Sequence, residues 1–356
     1  MPCISTFKGD FKAMTEIAEL QANLDQFTMV FQKENYVNWN IDCQEFEQYL
    51  LDNSSLSMND EILNIGKLQA YNKVITLRFN GNDVKLGYNV SNPRLGFCIH
   101  FSAMAFKSLL EGLNKPAYTF YQDLYKIGLD CGYKAHLSRV DIAIDFFNQN
   151  FETNDIAKKL NSKMTIVRDH RNHVNNSYRQ CIMDNSIFNT IYIGKPANSR
   201  LRIYNKQQEQ LDNHGSYLSL ANSVENWTRF EYELHGAYSK QFSEKLLHIR
   251  DDRSFNSLML QTMTDRYRFT TRKGNLLSFS KLMIESIHTH TPVIFAPKTR
   301  LHTDLDKRKD WVKSNTTGVT NVLKDVNRDE GTKEVVNVLK ELLMASGIEG
   351  IDITIK

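Results

Sequence analysis

The chain has 356 residues, of which 41% are hydrophobic and 24% charged, and its formal net charge at pH 7 is +3. These fractions are typical of a globular protein with ample material for a core, arranged as one large domain or two smaller ones. The weak positive charge argues against a histone-like electrostatic binder, although a local basic patch would still bind nucleic acid. No apolar run approaches the roughly eighteen residues of a membrane-spanning helix, so we expect no membrane partner.

The N-terminus and the cysteines favour a cytoplasmic protein. Met1 to Ser5 lack the basic segment leading into an apolar one that marks a secretory signal. An odd number of cysteines without CxxC spacing is typical of reduced cytosolic thiols and does not fit a zinc ribbon. These cysteines are Cys3, Cys43, Cys98, Cys131 and Cys181.

Residues 1–70 are predicted to be mainly helical. Apolar residues recur at helical spacing from Asp10 to Leu24 and again from Cys43 to Leu51. Asn53-Ser54-Ser55 then interrupts the pattern. This region is expected to pack on the core or to help bind a partner.

From about Val74 the pattern changes to strands. Val74 to Phe79 and Val84 to Tyr88 flank Asn80-Gly81, a dipeptide that favours a tight hairpin turn. A further strand is predicted at Gly96 to Phe101. Two helices are then predicted, at 103–111 and 117–129.

The segment Ser138 to Phe147 alternates apolar and polar residues with the period of a strand. One face carries Arg139, Asp141 and Asp145, and the small Ala143 leaves room between the carboxylates. Two carboxylates and a guanidinium on one face are a candidate metal or acid–base constellation. An exposed polar face of an antiparallel strand would show the same alternation, so both interpretations stay open for this segment alone.

A second alternating strand, Leu201 to Lys206, is expected to form a hairpin with the strand before it, because a turn-rich connection joins them. Arg202, Tyr204 and Lys206 fall on one side of its pleat. A phenol between two cations is a site where a phosphate can bind and a tyrosinate can attack it. The alternative is an ordinary half-buried tyrosine, since tyrosine favours strands, beside solvated cations.

The third alternating strand is Trp227 to Leu234, with Arg229, Glu231 and Glu233 on its polar face. If the three polar faces align in one sheet, four carboxylates surround Tyr204. Carboxylates are the ligands expected for Mg²⁺ or Mn²⁺, and such a cation can polarise a phosphodiester.

The tyrosine itself needs help to act as a nucleophile. Its hydroxyl has a pKa near 10 when unperturbed, so a nearby positive charge or a base is required at neutral pH. A metal ion, Arg202 and Lys206 are the candidates for that charge.

Three segments together resemble successive motifs of the Rep_trans family. They are RVDIAIDF at 139–146, RIYNKQQE at 202–209 and RFEYEL at 229–234. This family comprises replication initiators of Gram-positive rolling-circle plasmids and is related to relaxases of some conjugative elements and to filamentous-phage initiation factors. The likeness covers roughly residues 70–240, and the segment 202–209 is the most specific.

The resemblance implies that Tyr204 nicks one strand of origin DNA, leaving a 5′-phosphotyrosine link and a free 3′-OH. Arg202 and Lys206 fall near the scissile phosphate. Carboxylates that hold Mg²⁺ or Mn²⁺ are expected at Asp141, Glu231, Glu233 and Asp145. DNA contacts are assigned to Arg139, Arg229, Lys298 and Arg300, the last two in a basic stretch that would otherwise be a solvated helix face.

The resemblance also implies partners: a second copy of the chain, a host UvrD/PcrA-like helicase, and double-stranded origin DNA with an exposed single-stranded nick site. Two alternatives stay open. One is a relaxase of a conjugative element with the same chemistry, which the short N-terminal start disfavours. The other is a non-catalytic DNA-binding regulator, which the intact tyrosine, cations and carboxylates disfavour.

The expected fold is α+β, with a central, largely antiparallel sheet that carries the site and helices that flank it. Three regions are predicted: a mainly helical 1–70, a nicking core at 71–238, and a helical 239–356 for DNA recognition or dimerisation. Within the last region, helices are predicted at 240–250, 254–265, 276–287 and 332–346.

Overall fold

The computed structural model describes residues 19–176, 178–182, 189–195 and 199–288. These residues fall within one compact unit that ends at Ala296. Three predictions lie outside the described residues. They are the DNA-contacting role of Lys298 and Arg300, the helix at 332–346, and the first part of the helix that begins at Asp10. None of the helices in the described part has the length and apolar composition needed to cross a bilayer.

The described residues form strands and helices in mixed order. The strands are β1 Leu20–Gln32, β2 Glu61–Leu63, β3 Lys73–Phe79, β4 Asn82–Tyr88, β5 Phe97–Phe101, β6 Lys134–Phe147, β7 Thr165–Arg168, β8 Tyr178–Ile182, β9 Asn189–Lys195, β10 Ser199–Asn205, β11 Trp227–His235 and β12 Arg268–Thr271. The helices are α1 Trp39–Asn53, α2 Ala103–Leu113, α3 Ala117–Asp130, α4 Thr153–Asn161, α5 Lys206–Asp212, α6 Leu218–Ser223, α7 Ala237–Leu246, α8 Asp252–Arg266 and α9 Ser278–Glu285.

Ten of these strands form one antiparallel sheet in the order β2-β3-β4-β5-β1-β6-β11-β10-β9-β8, and β7 pairs with β12 in a small separate sheet. The predicted α+β fold with a central antiparallel sheet is therefore confirmed. Strands β6, β11 and β10, which carry the three alternating segments, are consecutive neighbours in the large sheet.

The apolar face of β6 packs in the core. Val140, Ile142 and Ile144 are completely buried. The ring of Phe146 lies 4.9 Å from that of Phe230 on β11, and Phe279 of α9 packs 5.4 Å from Phe230. Burial of aliphatic and aromatic side chains of this size stabilises each by about 1.5–3 kcal/mol, so the core fixes which face of each strand is polar.

The prediction of a helix from Asp10 to Leu24 is wrong for its described end, because Leu20–Gln32 is strand β1. The strand pairs with both β5 and β6, and its register shifts between Leu24 and Gln26. This β-bulge adds one residue, so the buried positions step from Leu24 to Phe27. The predicted helix ends at Leu24, before this step, and in its overlap with β1 the buried residues Leu20, Ala22 and Leu24 alternate as in a strand.

The other regions predicted to be helical give one confirmation and one difference. The second helix predicted within 1–70, Cys43 to Leu51, is confirmed as part of α1. In the C-terminal region α7, α8 and α9 match predicted helices, but the strand β12 lies between α8 and α9. The division of the chain at residues 70 and 238 stays a prediction.

Candidate active site

The polar faces of the three alternating strands meet on one side of the sheet, as predicted. On β6 and β11, Asp145 is opposite Arg229, and Asp141 is opposite Glu233. On β11 and β10, Glu231 is opposite Arg202, and Arg229 is opposite Tyr204. Directly opposite residues of an antiparallel pair share a face, so the register brings the tyrosine, the arginines and the carboxylates together.

Tyr204 is the second-last residue of β10, next to the start of α5. Asn205 caps this helix, since its side chain accepts a hydrogen bond from the Gln208 amide at 2.9 Å. The Tyr204 hydroxyl donates to Glu231 Oε2 at 3.1 Å. Burial raises the pKa of Tyr204 well above its usual range, Arg229 opposes this, and Glu231 adds to it. The phenol is therefore neutral at pH 7 and needs an acceptor for its proton.

Lys206 is close to Tyr204, but it does not belong to the strand. The alternation predicts Lys206 on the same strand face as Tyr204, whereas it is the first residue of α5. Its ammonium lies 5.8 Å from the centre of the Tyr204 ring and 2.7 Å from Glu209 Oε2. The change from strand to helix after Asn205 thus leaves the Lys206 ammonium next to the Tyr204 ring.

Each predicted carboxylate is paired with arginine. Asp141 is held through both oxygens by Arg139 at 2.9 and 2.6 Å. Glu233 is held in the same way by Arg200 at 3.0 and 2.9 Å. Such bidentate pairs are strong and fix the orientation of both side chains.

The other two predicted carboxylates are Asp145 and Glu231, of which Glu231 contacts the tyrosine. Asp145 binds the Arg229 guanidinium through both oxygens at 2.7 and 2.8 Å and accepts from the Trp227 indole at 2.7 Å. Glu231 contacts Arg202 through Oε1. Arg229 is 6% exposed and Asp145 2% exposed, so this pair is buried.

Asp25 is a site residue that the sequence did not reveal. It lies in the bulge of β1, and its Oδ1 is 3.0 Å from the Arg229 guanidinium. Burial raises the pKa of Asp25, Arg229 opposes this, and Glu231 adds to it. The step from Leu24 to Phe27 is the signal that could have identified the bulge, since bulges commonly redirect a side chain into a site.

A cleft of about 1140 Å³ contains the site. Tyr204, Arg229 and Glu231 line it together with Asp25 and Lys206. Other parts of its lining come from α2 and from the segment after α5, including Met104, Lys107, Ser216 and Tyr217. Asp145 also lines the cleft, whereas Asp141 and Glu233 do not.

The arginine pairs leave the predicted metal ligands in different situations. Among the described residues, no group of three or more histidine, cysteine, aspartate or glutamate side chains is arranged to hold a metal ion. Both oxygens of Asp141, Asp145 and Glu233 are engaged by arginine. Glu231 differs from these three, because arginine contacts its Oε1 while its Oε2 accepts from Tyr204. Together with Asp25, which also lines the cleft, it offers the carboxylate oxygens that suit a hard cation.

The two predicted DNA contacts within the described residues occupy different environments. Arg139 is partly exposed, with 31% of its side chain accessible, and bridges Asp141 and Glu233. Arg229 is buried between Asp145 and Asp25 and lines the cleft. Contact of either with DNA stays a prediction.

Comparison with known proteins assigns the family. The model of the Rep_trans family, described as replication initiation factor, matches residues 135–339. Among solved structures, the chain is similar to the rolling circle replication initiator protein from Geobacillus stearothermophilus, with 16% identity and a TM-score of 0.53 over 75% of this chain and 96% of that one. At this identity the likeness concerns the fold alone. The comparison with curated proteins found no match. Because the family match covers more than half of the residues, the chain belongs to the Rep_trans family of replication initiation factors.

Proposed function

We propose that this protein nicks and rejoins one strand of origin DNA to start rolling-circle replication, with Tyr204 as the nucleophile. The observation that carries the proposal is the Tyr204–Glu231 hydrogen bond of 3.1 Å in a cleft that also contains arginines and a lysine. A nucleophile, a base within hydrogen-bond reach and nearby cations are the groups that a transesterification requires.

The Tyr204 oxygen attacks the scissile phosphorus and forms a new P–O bond, while the bond from phosphorus to the 3′ oxygen breaks. The phenolic proton passes to Glu231 Oε2, and the 3′ oxygen leaves as a hydroxyl after protonation by water. The product is a 5′-phosphotyrosine and a free 3′-OH. Rejoining is the reverse, in which the 3′-OH attacks the phosphotyrosine and Tyr204 recovers its proton.

Arg202, Lys206 and Arg229 stabilise the negative charge that develops on the phosphate oxygens. Their positions are fixed in advance by ion pairs with Glu231, Glu209 and Asp145. Preorganised donors of this kind each contribute about 10²–10³ in rate when they act on developing charge.

A divalent cation, Mg²⁺ or Mn²⁺, is part of the proposal. Asp25 and Glu231 would hold it, and when bound it supplies positive charge that favours the tyrosinate and neutralises a phosphate oxygen. Asp141, Asp145 and Glu233 act by orienting the arginines in this scheme. The proposed partners are origin DNA with a single-stranded nick site, a second copy of the chain and a host helicase.

The test uses supercoiled DNA that carries the cognate origin, with Mg²⁺ or Mn²⁺. We expect wild type to nick this DNA and form a covalent protein–DNA adduct, and Tyr204→Phe to do neither. Tyr192→Phe is the matched control, because Tyr192 lies opposite Arg202 and lines the same cleft; it is expected to form the adduct. An adduct formed by Tyr204→Phe would overturn the assignment of the nucleophile.

A further inference from the structure

We propose that Lys107 of α2 is a phosphate-binding residue of the cleft, held in place by the ring of Tyr217, and that it contacts the phosphate next to the scissile one in single-stranded DNA. The inference rests on the proposed function, since it adds a substrate contact to the same site. Neither residue belongs to the three alternating strands, and Lys107 lies outside the residues that match the family model.

Lys107 and Tyr217 both line the cleft that contains Tyr204. Their two segments are in contact, because Ser216 Oγ lies 3.5 Å from Met104 Sδ. A cleft of about 1140 Å³ has room for a few unpaired nucleotides. When single-stranded DNA enters the cleft, the phosphates on either side of the scissile phosphate come within reach of the side chains that line it.

The ammonium of Lys107 is fixed by a cation–π contact. It lies 3.3 Å from the centre of the Tyr217 ring. That ring is itself fixed, since it packs edge-on against Trp227 at 5.9 Å, and the Trp227 indole donates to Asp145. A ring holds a cation without neutralising it, so the ammonium remains available to an anion.

The segment that carries Tyr204 also positions Tyr217. Glu209, which pairs with Lys206, accepts a hydrogen bond from the Gln210 side chain at 2.8 Å. The oxygen of the same Gln210 amide accepts from the backbone N–H of Tyr217 at 2.9 Å. The side chains after the nucleophile thus connect the Lys206 ammonium to the ring beneath Lys107.

The charge of Lys107 is incompletely compensated in the free protein. Burial lowers the pKa of Lys107, Glu111 opposes this, and the charges of Arg229 and Lys206 lower it further. Glu111 lies 3.6 Å away with half of its side chain exposed, and pairs of this kind contribute little. A phosphodiester would supply the missing negative charge, and charge-assisted hydrogen bonds to phosphate are among the stronger ones.

The experiment measures binding of a labelled oligothymidine of about twelve nucleotides by fluorescence anisotropy over a range of salt concentrations. All variants carry Tyr204→Phe, so that cleavage does not interfere. Lys107→Met is expected to bind about tenfold more weakly and to flatten the plot of log K against log salt by about 0.7, the change for one lost single-strand phosphate contact. Lys107→Arg is expected to retain the wild-type slope.

Lys281→Met is the matched control. Lys281 pairs with Glu285 one helical turn away at 3.6 Å, as Lys107 does with Glu111, but it does not line the cleft. It is expected to leave affinity and slope unchanged. Unchanged binding by Lys107→Met in a variant whose thermal unfolding matches wild type would overturn the proposal.

The positioning role of Tyr217 has its own test. Tyr217→Phe keeps the ring and is expected to bind as wild type, whereas Tyr217→Leu is expected to bind as weakly as Lys107→Met. The Lys107→Met/Tyr217→Leu double variant should be no weaker than either single variant, because both remove the same contact. Additive losses would overturn the positioning role.

Failure of this inference is distinguishable from failure of the proposed function. If wild type forms the adduct but Lys107→Met does not change DNA binding, only the role of Lys107 is overturned. Lys107-dependent binding without any adduct from wild type would support the phosphate contact and overturn the nicking chemistry.

Discussion

The Tyr204 hydroxyl donates to Glu231 Oε2 at 3.1 Å, from one strand to its neighbour in the middle of the site. Burial raises the pKa of Tyr204 well above its usual range, so the proton must leave as the tyrosine attacks. Glu231 is the acceptor within hydrogen-bond reach, and its other oxygen is held by Arg202. The hydrogen bond between these two residues depends on the register of β10 and β11, so the register determines which group can accept the phenolic proton.

Glu231→Gln tests the proton transfer. The amide keeps the shape of the side chain but is a very weak base, so we expect nicking to slow by about 10²–10⁴ while DNA binding is retained. Without a base, the reaction depends on free tyrosinate, so the residual rate should rise about tenfold per pH unit because the pKa of Tyr204 is raised. Single-turnover nicking between neutral and alkaline pH measures both effects.

Glu225→Gln is the control, since Glu225 is exposed in the loop before β11. It is expected to nick at the wild-type rate. A Glu231→Gln variant with the wild-type rate and pH profile would remove Glu231 as the proton acceptor.

Asp25→Asn tests the cation site. Mn²⁺ that binds only the folded protein raises its thermal midpoint by mass action, and we expect this rise for wild type. Asp25→Asn should abolish most of it, because the substitution replaces one of the two carboxylates proposed to hold the cation with a neutral amide. Differential scanning fluorimetry with and without Mn²⁺ measures the midpoint.

Asp252→Asn serves as the control for this substitution, because Asp252 also lines the cleft. A shift that survives in Asp25→Asn and disappears in Asp141→Asn or Glu233→Gln would transfer the cation to the carboxylates first predicted from the sequence.

Asp145→Ala is expected to destabilise the fold by about 3–5 kcal/mol, because it leaves Arg229 buried beside one remaining carboxylate. It also removes the acceptor of the Trp227 indole. Urea unfolding measures the loss. The exposed pair of Lys134 and Glu34 gives the contrast: Glu34→Ala should cause no measurable change, although the two atoms lie 2.6 Å apart.

The raised pKa of Asp141 leads us to expect that the stability of the protein depends on pH. Burial raises the pKa of Asp141 to about 7 against the opposing effect of Arg139, from 3.8 when unperturbed. The folded state then binds this proton more tightly than the unfolded state, so the free energy of unfolding falls as pH rises from about 4 to about 7. Asp141→Asn should flatten that slope in urea titrations at several pH values. Identical slopes for both proteins would contradict the raised pKa.

The sequence by itself determined the strands and their faces at the site. Alternation of residue type is a local property, since side chains of successive strand residues point to opposite faces. It therefore places Asp141, Tyr204 and Glu231 on polar faces without reference to any partner strand. The helix predicted up to Leu24 is wrong where it overlaps β1, because Leu20, Ala22 and Leu24 alternate there as in a strand. The bulge at Asp25 then interrupts this alternation, so the period does not run through the whole strand.

Only the tertiary structure decided which side chains meet. The register of β10 and β11 places Tyr204 opposite Arg229 and within hydrogen-bond distance of Glu231. Contacts between distant segments bring Asp25 to Arg229 and Lys107 to Tyr217. Residues 107 and 217 are far apart in the chain, and no periodic pattern connects them. The physical reason is that composition and spacing report the local preference of each segment, whereas ion pairs and clefts depend on long-range packing that fixes several segments at once.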